Sequence, residues 1–221
     1  MKYSKKIRMF CALTALLLLC LSLPLVSSSA AYSTLRRGSR GDEVKELQGN
    51  LIMLGYLNDR ADGIFGAKTE TAVRKYQSRN GLTSDGLAGN ATRSAIAKEV
   101  LRILKVVDTA KKYLGLPYLY GGTSPSTGFD CSGLTQYAYK QAGITIPRVS
   151  YEQAAAGTSV PYSQLRIGDL VAFNSPVSHV GIYVGSGKFI HSPKTGDVIK
   201  ITNLSAMKLT AIRRFTGVLA G

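Results

Sequence analysis

The segment DGIFGAKT at residues 62–69 returns as DGLAGNAT at 85–92, with Asp-Gly, a second Gly and Thr in register. This repeat constrains the flanking chain more than any other feature. Its glycines reach turn conformations closed to other residues, and its Gly-to-Thr stretch supplies helix-starting chemistry ahead of ETAVRKYQ and RSAIAKEV. A third helix precedes both, with Asp42 near its start and Val44, Leu47, Leu51 and Leu54 on one stripe at steps of three and four. Residues 35–100 are therefore expected to form a small three-helix domain. Gly49 falls inside its first helix at a cost of about 1 kcal/mol relative to alanine. The unit has neither histidine nor cysteine, so no zinc site is expected in it. From Thr92 to Leu114 only Ser94 interrupts a helical pattern and no Pro, Gly or Ser-rich linker follows, which predicts a stiff junction. After Gly115 the chain turns to glycines, tyrosines and alternating apolar residues, the texture of a mixed helix and strand domain.

At the N-terminus Lys2, Lys5, Lys6 and Arg8 precede an apolar stretch at 9–26 that ends in SSSAA. It reads as a signal peptide over 1–31. Pro24 and the small residues Ser28 and Ala30 favour cleavage after Ala30 or Ala31 over an uncleaved anchor. Cys11 and Cys20 follow Phe10 and Leu19 rather than small residues, which argues against lipid attachment. A protein exported in this way keeps one cysteine, Cys131, and can form no intrachain disulfide. Loss of the leader's four basic residues leaves 24 basic against 13 acidic side chains, a net charge of +11. That surface favours anionic polymers, in this setting wall acids or membrane lipid. No basic run interleaved with aromatics points to nucleic acid.

The two histidines lie in one expected hairpin, HVGIYV at 179–184 and KFIHS at 188–192, joined by Gly185, Ser186 and Gly187. Pairing Val184 with Lys188 sets Ile190 against Ile182 and His191 opposite Gly181. Period two then puts His191 on the same face as His179, and Gly181 leaves that face open. Cys131 precedes SGLTQYAYKQAG, where Leu134, Tyr137, Ala138 and Gln141 or Ala142 mark a helical face and Gly143 its end. Unpaired amides at a helix start and a nearby imidazolium favour a thiolate, and the same amides can receive an oxyanion. A thiol, a base and a group that orients the base are the parts of a nucleophilic site, here Cys131, His179 and His191. Two other readings stay open on the residues alone: an inert packed Cys131, and a zinc site made of the cysteine and both histidines.

Two resemblances add to this. LRRGSRGDEVKELQ through LGYL, DGIFGAKTETAVRKYQ and NGLTSDGLAGNAT resembles the small peptidoglycan-binding domain found beside many wall enzymes. A helical spacer without a ligand is the alternative. PYLYGG, FDCSGLTQYAYKQAG, IPR, GDLVAFN and SHVGIYVGSGKFIHS resemble the NlpC-type cell-wall endopeptidases, which are papain-like cysteine peptidases.

The second resemblance implies an α+β fold, with a papain-like catalytic domain of helices plus antiparallel sheet over 106–221. It implies Cys131 as nucleophile, His179 as base and His191 as third member of the triad. Tyr118 matches the tyrosine beside the oxyanion region, and Asp130 and Ser132 match residues that shape the substrate cleft. Tyr120 stands where the family often has tryptophan, and the SH3-like domain some members carry in front is replaced by the helical unit. The implied activity is hydrolysis of a stem-peptide amide, D-γ-glutamyl-diamino acid above others, by a secreted, wall-associated enzyme. No cofactor, nucleic acid or obligate protein partner is expected; peptidoglycan is the partner, with anionic wall polymers as a second class. An amidase at the first alanine, an acyltransferase and a non-catalytic wall-binding protein are the alternatives.

Overall fold

The computed structural model describes residues 32–216; the expected leader over 1–31, with its cleavage site, lies outside the described residues. Helices α1 (Asp42–Met53), α2 (Ala67–Arg79) and α3 (Asn90–Lys111) open the described chain. The stripe expected on α1 is buried: Val44, Leu47, Leu51 and Leu54 pack with Phe65, Val73, Tyr76, Ile96 and Ile103 in one apolar core.

The repeat has a different basis from helix capping. Gly66 and Gly89 are the N-caps of α2 and α3, and neither has a side-chain cap hydrogen bond. Each copy instead wraps around a buried glutamine from the helix before it. Gln48 Nε2 donates to Asp62 Oδ1, the Ile64 carbonyl and Thr69 Oγ1 at 2.9, 3.0 and 3.1 Å, while its Oε1 accepts from the Gly63 amide at 2.8 Å. Gln77 repeats the pattern on Asp85, Leu87 and Thr92 at 2.8, 2.9 and 3.1 Å, and accepts from Gly86 at 2.9 Å. A buried amide left unpaired costs about 1–3 kcal/mol, so the Asp-Gly-x-x-x-x-x-Thr spacing is fixed by the need to satisfy the glutamine's two N–H groups, one of them shared between two acceptors, and its carbonyl. Gly63 and Gly86 hold φ of 76° and 75°, which the loop needs to present its amide.

Helix α3 runs unbroken from this core into a second one. Ile96, Val100 and Ile103 belong to the first, and Val106, Val107 and Ala110 to the second. With neither Pro nor Gly in its 22 residues, nothing interrupts its backbone bonds. Ile167 packs against both cores, and Arg166 donates to the carbonyls of Leu54 and Gly55 at the end of α1.

Beyond α3 a short antiparallel pair, β1 (Thr123–Ser124) and β2 (Gly128–Phe129), leads into α4 (Cys131–Gln141) and α5 (Ser150–Ala155). Helix α4 buries Leu134 and Ala138 and is followed by Gly143 at φ 73°, as its sequence predicts. Then come β3 (Thr158–Ser159), β4 (Leu170–Phe173), β5 (His179–Gly185), β6 (Lys188–His191), β7 (Lys200–Asn203) and β8 (Leu209–Arg214). They form one antiparallel sheet in the order β3-β8-β4-β5-β6-β7. Leu170, Ala172, Val180, Ile182 and Ile190 meet the helices on one face. Val171, Phe173, Phe189 and Ile212 form a separate cluster with Leu204.

The expected hairpin register needs one correction. Ile182 does face Ile190, but Lys188 pairs with Gly185 rather than Val184, across an irregularity after Tyr183. The connection is Ser186-Gly187, with φ of 52° and 67°; Val184 is the extra residue of the bulge, and Gly185 after it holds φ 94°. Two successive positive-φ residues match the right-handed twist of the strands they join, which a three-residue loop does not require.

Candidate active site

Cys131 is the first residue of α4, and the chain before it decides how that helix starts. Asp130 is the N-cap, accepting from the Gly133 amide at 2.6 Å. The Asp130 amide donates to the Gly122 carbonyl at 3.1 Å, and a Cβ on Gly133 would lie 2.0 Å from that oxygen. The glycines of PYLYGG and CSGL are therefore the residues that let the loop press against the helix start. Gln153 of α5 donates to the Ser132 and Pro147 carbonyls at 3.0 and 2.8 Å and accepts from Thr135 at 2.7 Å, tying the first turn of α4 to the next helix. Across the sheet, Ser192 donates to the Phe129 carbonyl at 2.7 Å, which holds the end of β6 beside the segment entering α4.

The histidines are brought together as their strand period predicts. His179 opens β5 and His191 closes β6, and His179 Nε2 lies 2.7 Å from His191 Nδ1. His191 Nε2 is in turn 2.9 Å from Thr202 Oγ1 on β7. Gly181 does not leave the face open: a Cβ there would sit 2.6 Å from the Phe189 ring, which fills the space and packs on His191 at a centroid distance of 4.5 Å. The glycine makes room for that ring, and the ring fixes the imidazole.

The Cys131 thiol lies against β5, where the amides of Val180 and Ser132 favour its ionised form, but burial outweighs them and pushes its pKa up. Burial also lowers His179 to about 4 and His191 to about 3, the charges of His179 and Lys200 adding to the second. The expected thiolate beside an imidazolium is thus not the resting state at neutral pH. Desolvation disfavours both charges, and the site rests as a thiol and two neutral imidazoles. Cys131 is 9% exposed, so the sulfur is a nearly buried group rather than one in an open groove.

Asp130 and Ser132 carry a partner that sequence reasoning gave no role, Arg148. Its Nη2 donates to Asp130 Oδ2 at 2.5 Å and its Nη1 to Asp130 Oδ1 at 3.1 Å and Ser132 Oγ at 2.8 Å. Tyr118 is half-buried; desolvation raises its pKa first, and the charges of Cys131 and Asp130 act in the same direction. Tyr120, at the expected tryptophan position, is 86% exposed. Arg148 is the arginine of the IPR motif, which marks it without giving it a role, and Thr202 carried no signal in the chain by itself. Thr202 becomes visible only when β7 is paired with β6, where Thr202 lies opposite Phe189. Among the described residues no group of three or more His, Cys, Asp or Glu is placed to hold a metal ion.

Residues 115–214 match the NlpC/P60 family, and residues 40–96 match the family described as "Putative peptidoglycan binding domain". The chain is 44% identical over 118 residues to the gamma-D-glutamyl-L-lysine dipeptidyl-peptidase of Bacillus subtilis, covering 49% of this chain and 40% of that protein. It is 39% identical over 156 residues to the murein DD-endopeptidase MepH of Escherichia coli, covering 67% of this chain and 57% of that one. The chain thus spans little more than half, or less, of the length of these curated relatives. Among solved structures, the P60 domain of Mycobacterium avium subspecies paratuberculosis antigen MAP1204 aligns with a TM-score of 0.50 at 30% identity. That alignment covers 53% of this chain and 97% of that one.

Proposed function

We propose that this chain, which belongs to the NlpC/P60 family and carries an N-terminal peptidoglycan-binding domain, hydrolyses an amide bond in the peptidoglycan stem peptide. The bond is D-γ-glutamyl-diamino acid, the chemistry in the name of the Bacillus dipeptidyl-peptidase. The observation that carries the reading is the relay His179 Nε2, His191 Nδ1, His191 Nε2, Thr202 Oγ1, with Cys131 at the N-terminus of α4 against Val180, the residue after His179.

The relay gives each nitrogen a task. With both rings neutral, two proton arrangements satisfy it. If His179 carries its proton on Nε2, it donates to His191 Nδ1, His191 donates from Nε2 to Thr202, and His179 Nδ1 is free to act as a base. If Thr202 donates instead, every proton shifts and His179 Nδ1 is blocked. Only the first arrangement works, so His191 and Thr202 are positioning residues for His179. His179 takes the thiol proton as Cys131 attacks the carbonyl, and the amides at the start of α4 receive the oxyanion, with Tyr118 beside them. The proton passes to the leaving amine. Water, deprotonated by His179, then hydrolyses the thioester and restores the thiol. Burial raises the thiol and lowers the histidine, which favours proton transfer in step with attack over a standing ion pair.

The Arg148 clamp on Asp130 and Ser132 keeps the nucleophile's turn in place. The helical unit over 35–100 holds the enzyme on the wall, the domain over 106–221 cuts, and the segment over 1–31 exports the chain so that it acts outside the membrane. The test is digestion of purified sacculi with mass spectrometry of the fragments. New amino groups on the diamino acid are expected from the wild type and none from Cys131→Ala, whose wall binding is unchanged. New amino groups on alanine would assign an amidase, and transferred rather than hydrolysed acyl groups an acyltransferase. Undiminished cleavage by Cys131→Ala would remove the cysteine from the mechanism.

A further inference from the structure

The edge of the sheet opposite the histidines, where β3 and β8 lie, meets α2 and α3 around a pocket of about 160 Å³. Its wall carries Lys75, Arg79, Arg166 and Arg214 against one carboxylate, Glu99. None of the residues assigned to catalysis borders it.

Two of these five charges are committed inside the protein. Arg214 is bidentate on buried Asp169, Nε to Oδ1 at 2.8 Å and Nη2 to Oδ2 at 2.7 Å. Glu99 is mostly desolvated, which raises its pKa, and hydrogen bonds with the Tyr76 hydroxyl. Arg166 spends one N–H each from Nη1 and Nη2 on backbone carbonyls, which leaves its charge uncancelled and its other N–H groups uncommitted. Lys75 and Arg79 stand four residues apart on one face of α2, and no ion pair among the described residues includes Lys75, Arg79 or Arg166. Burial and the Arg214 charge act against the Arg166 proton more than Asp169, Tyr56 and Glu99 support it, an imbalance that an anion in the pocket would relieve. Guanidinium and ammonium donors converging on one concave site suit phosphate or carboxylate oxygens.

We propose that this pocket binds the anionic groups, phosphate or carboxylate, of the cell-wall polymer, and so anchors the chain on its substrate independently of the cleft at Cys131. The polymer class rests on the reading of the protein as a wall hydrolase. Diffuse positive charge attracts such a polymer, but its reach is about 10 Å at 0.1 M salt. A pocket that makes direct contacts adds a second attachment, which raises the effective concentration of scissile bonds at the cleft.

The experiment is equilibrium binding to purified sacculi at 0.1 M salt by wild type, the pocket pair Lys75→Gln/Arg79→Gln, and a control pair Lys140→Gln/Lys208→Gln that removes equal charge elsewhere. All four side chains are exposed, so folding should be unaffected; matched melting curves verify it, and Lys75→Gln alone serves if the pair melts early. The pocket pair should bind at least tenfold more weakly and the control pair within twofold of wild type. Binding to sacculi stripped of phosphodiester polymer by hydrofluoric acid separates the sources. If the wild-type advantage over the pocket pair vanishes there, the ligand is phosphate; if it persists, stem-peptide carboxylate. A pocket pair within twofold of wild type, or a control pair equally weakened, overturns the site. Cleavage of a soluble stem-peptide fragment by the pocket pair should match wild type. Cys131→Ala should bind sacculi normally, so failure of the catalytic reading is seen separately.

Discussion

Replacing Thr202 by valine tests the proton relay with little change of shape. The hydroxyl 2.9 Å from His191 Nε2 disappears and a methyl takes its place. Two outcomes compete. If His191 keeps its proton on Nε2, a largely buried donor is left unpaired at about 1–3 kcal/mol. If the relay reverses to avoid that cost, His179 Nδ1 is protonated and no longer accepts the thiol proton. The working tautomer is therefore disfavoured by about 1–3 kcal/mol, which is about 5- to 150-fold in rate. We expect kcat/KM on a soluble stem peptide to fall about 10- to 100-fold through kcat, with KM unchanged, and Thr202→Ser to recover activity to within about threefold. Nitrogen NMR of the imidazoles reports the tautomer directly. Wild-type kcat and an unchanged His179 tautomer in Thr202→Val would refute the relay.

The depressed histidine pKa values also set a sign for stability. Between pH 6.5 and about 4 the unfolded chain binds a proton at residue 179 that the folded chain refuses. Stability is thus complete above pH 6.5 and falls on acidification by about 1.4 kcal/mol per unit, about 3 kcal/mol for His179 alone by pH 4. Urea unfolding at pH 7 and 4.5 should show a smaller loss in His179→Gln; equal losses would contradict the burial argument. Gly49 lies inside α1 with no atom within 4 Å of a built Cβ, so Gly49→Ala should stabilise by about 1 kcal/mol, read as a higher urea midpoint. A loss of stability there would show that the space is needed. Ile103 sits where α3 passes between the two cores, and Ile103→Ala should cost about 2–5 kcal/mol in a single calorimetric transition. Two separate transitions would show that the junction does not couple the halves.

The helices, the hairpin and the pairing of the histidines were legible because each rests on local periodicity. Leu47 and Leu51, or His179 and Ile182, point where a period of 3.6 or 2 sends them. The repeat was visible but its cause was not. Thr69 and Thr92 look like helix-starting residues, and only the fold brings Gln48 and Gln77 within bonding distance of them. Thr202 and the role of Arg148 were hidden for the same reason, since each serves a residue on a different element.

The chain by itself determined the proposed reacting set: one thiol outside the expected leader, two histidines, and strand and helix patterns that bring them to element ends. Protonation was decided by the tertiary structure. A local pattern carries no information on desolvation, which depends on how much of the chain closes around a group. That closure raises Cys131 and lowers both histidines, exchanging an expected ion pair for a neutral site. The cationic pocket at the far edge of the sheet has the same origin, because its charges come from α2, from the turn before β4 and from β8, which meet only once the sheet has packed against the helices.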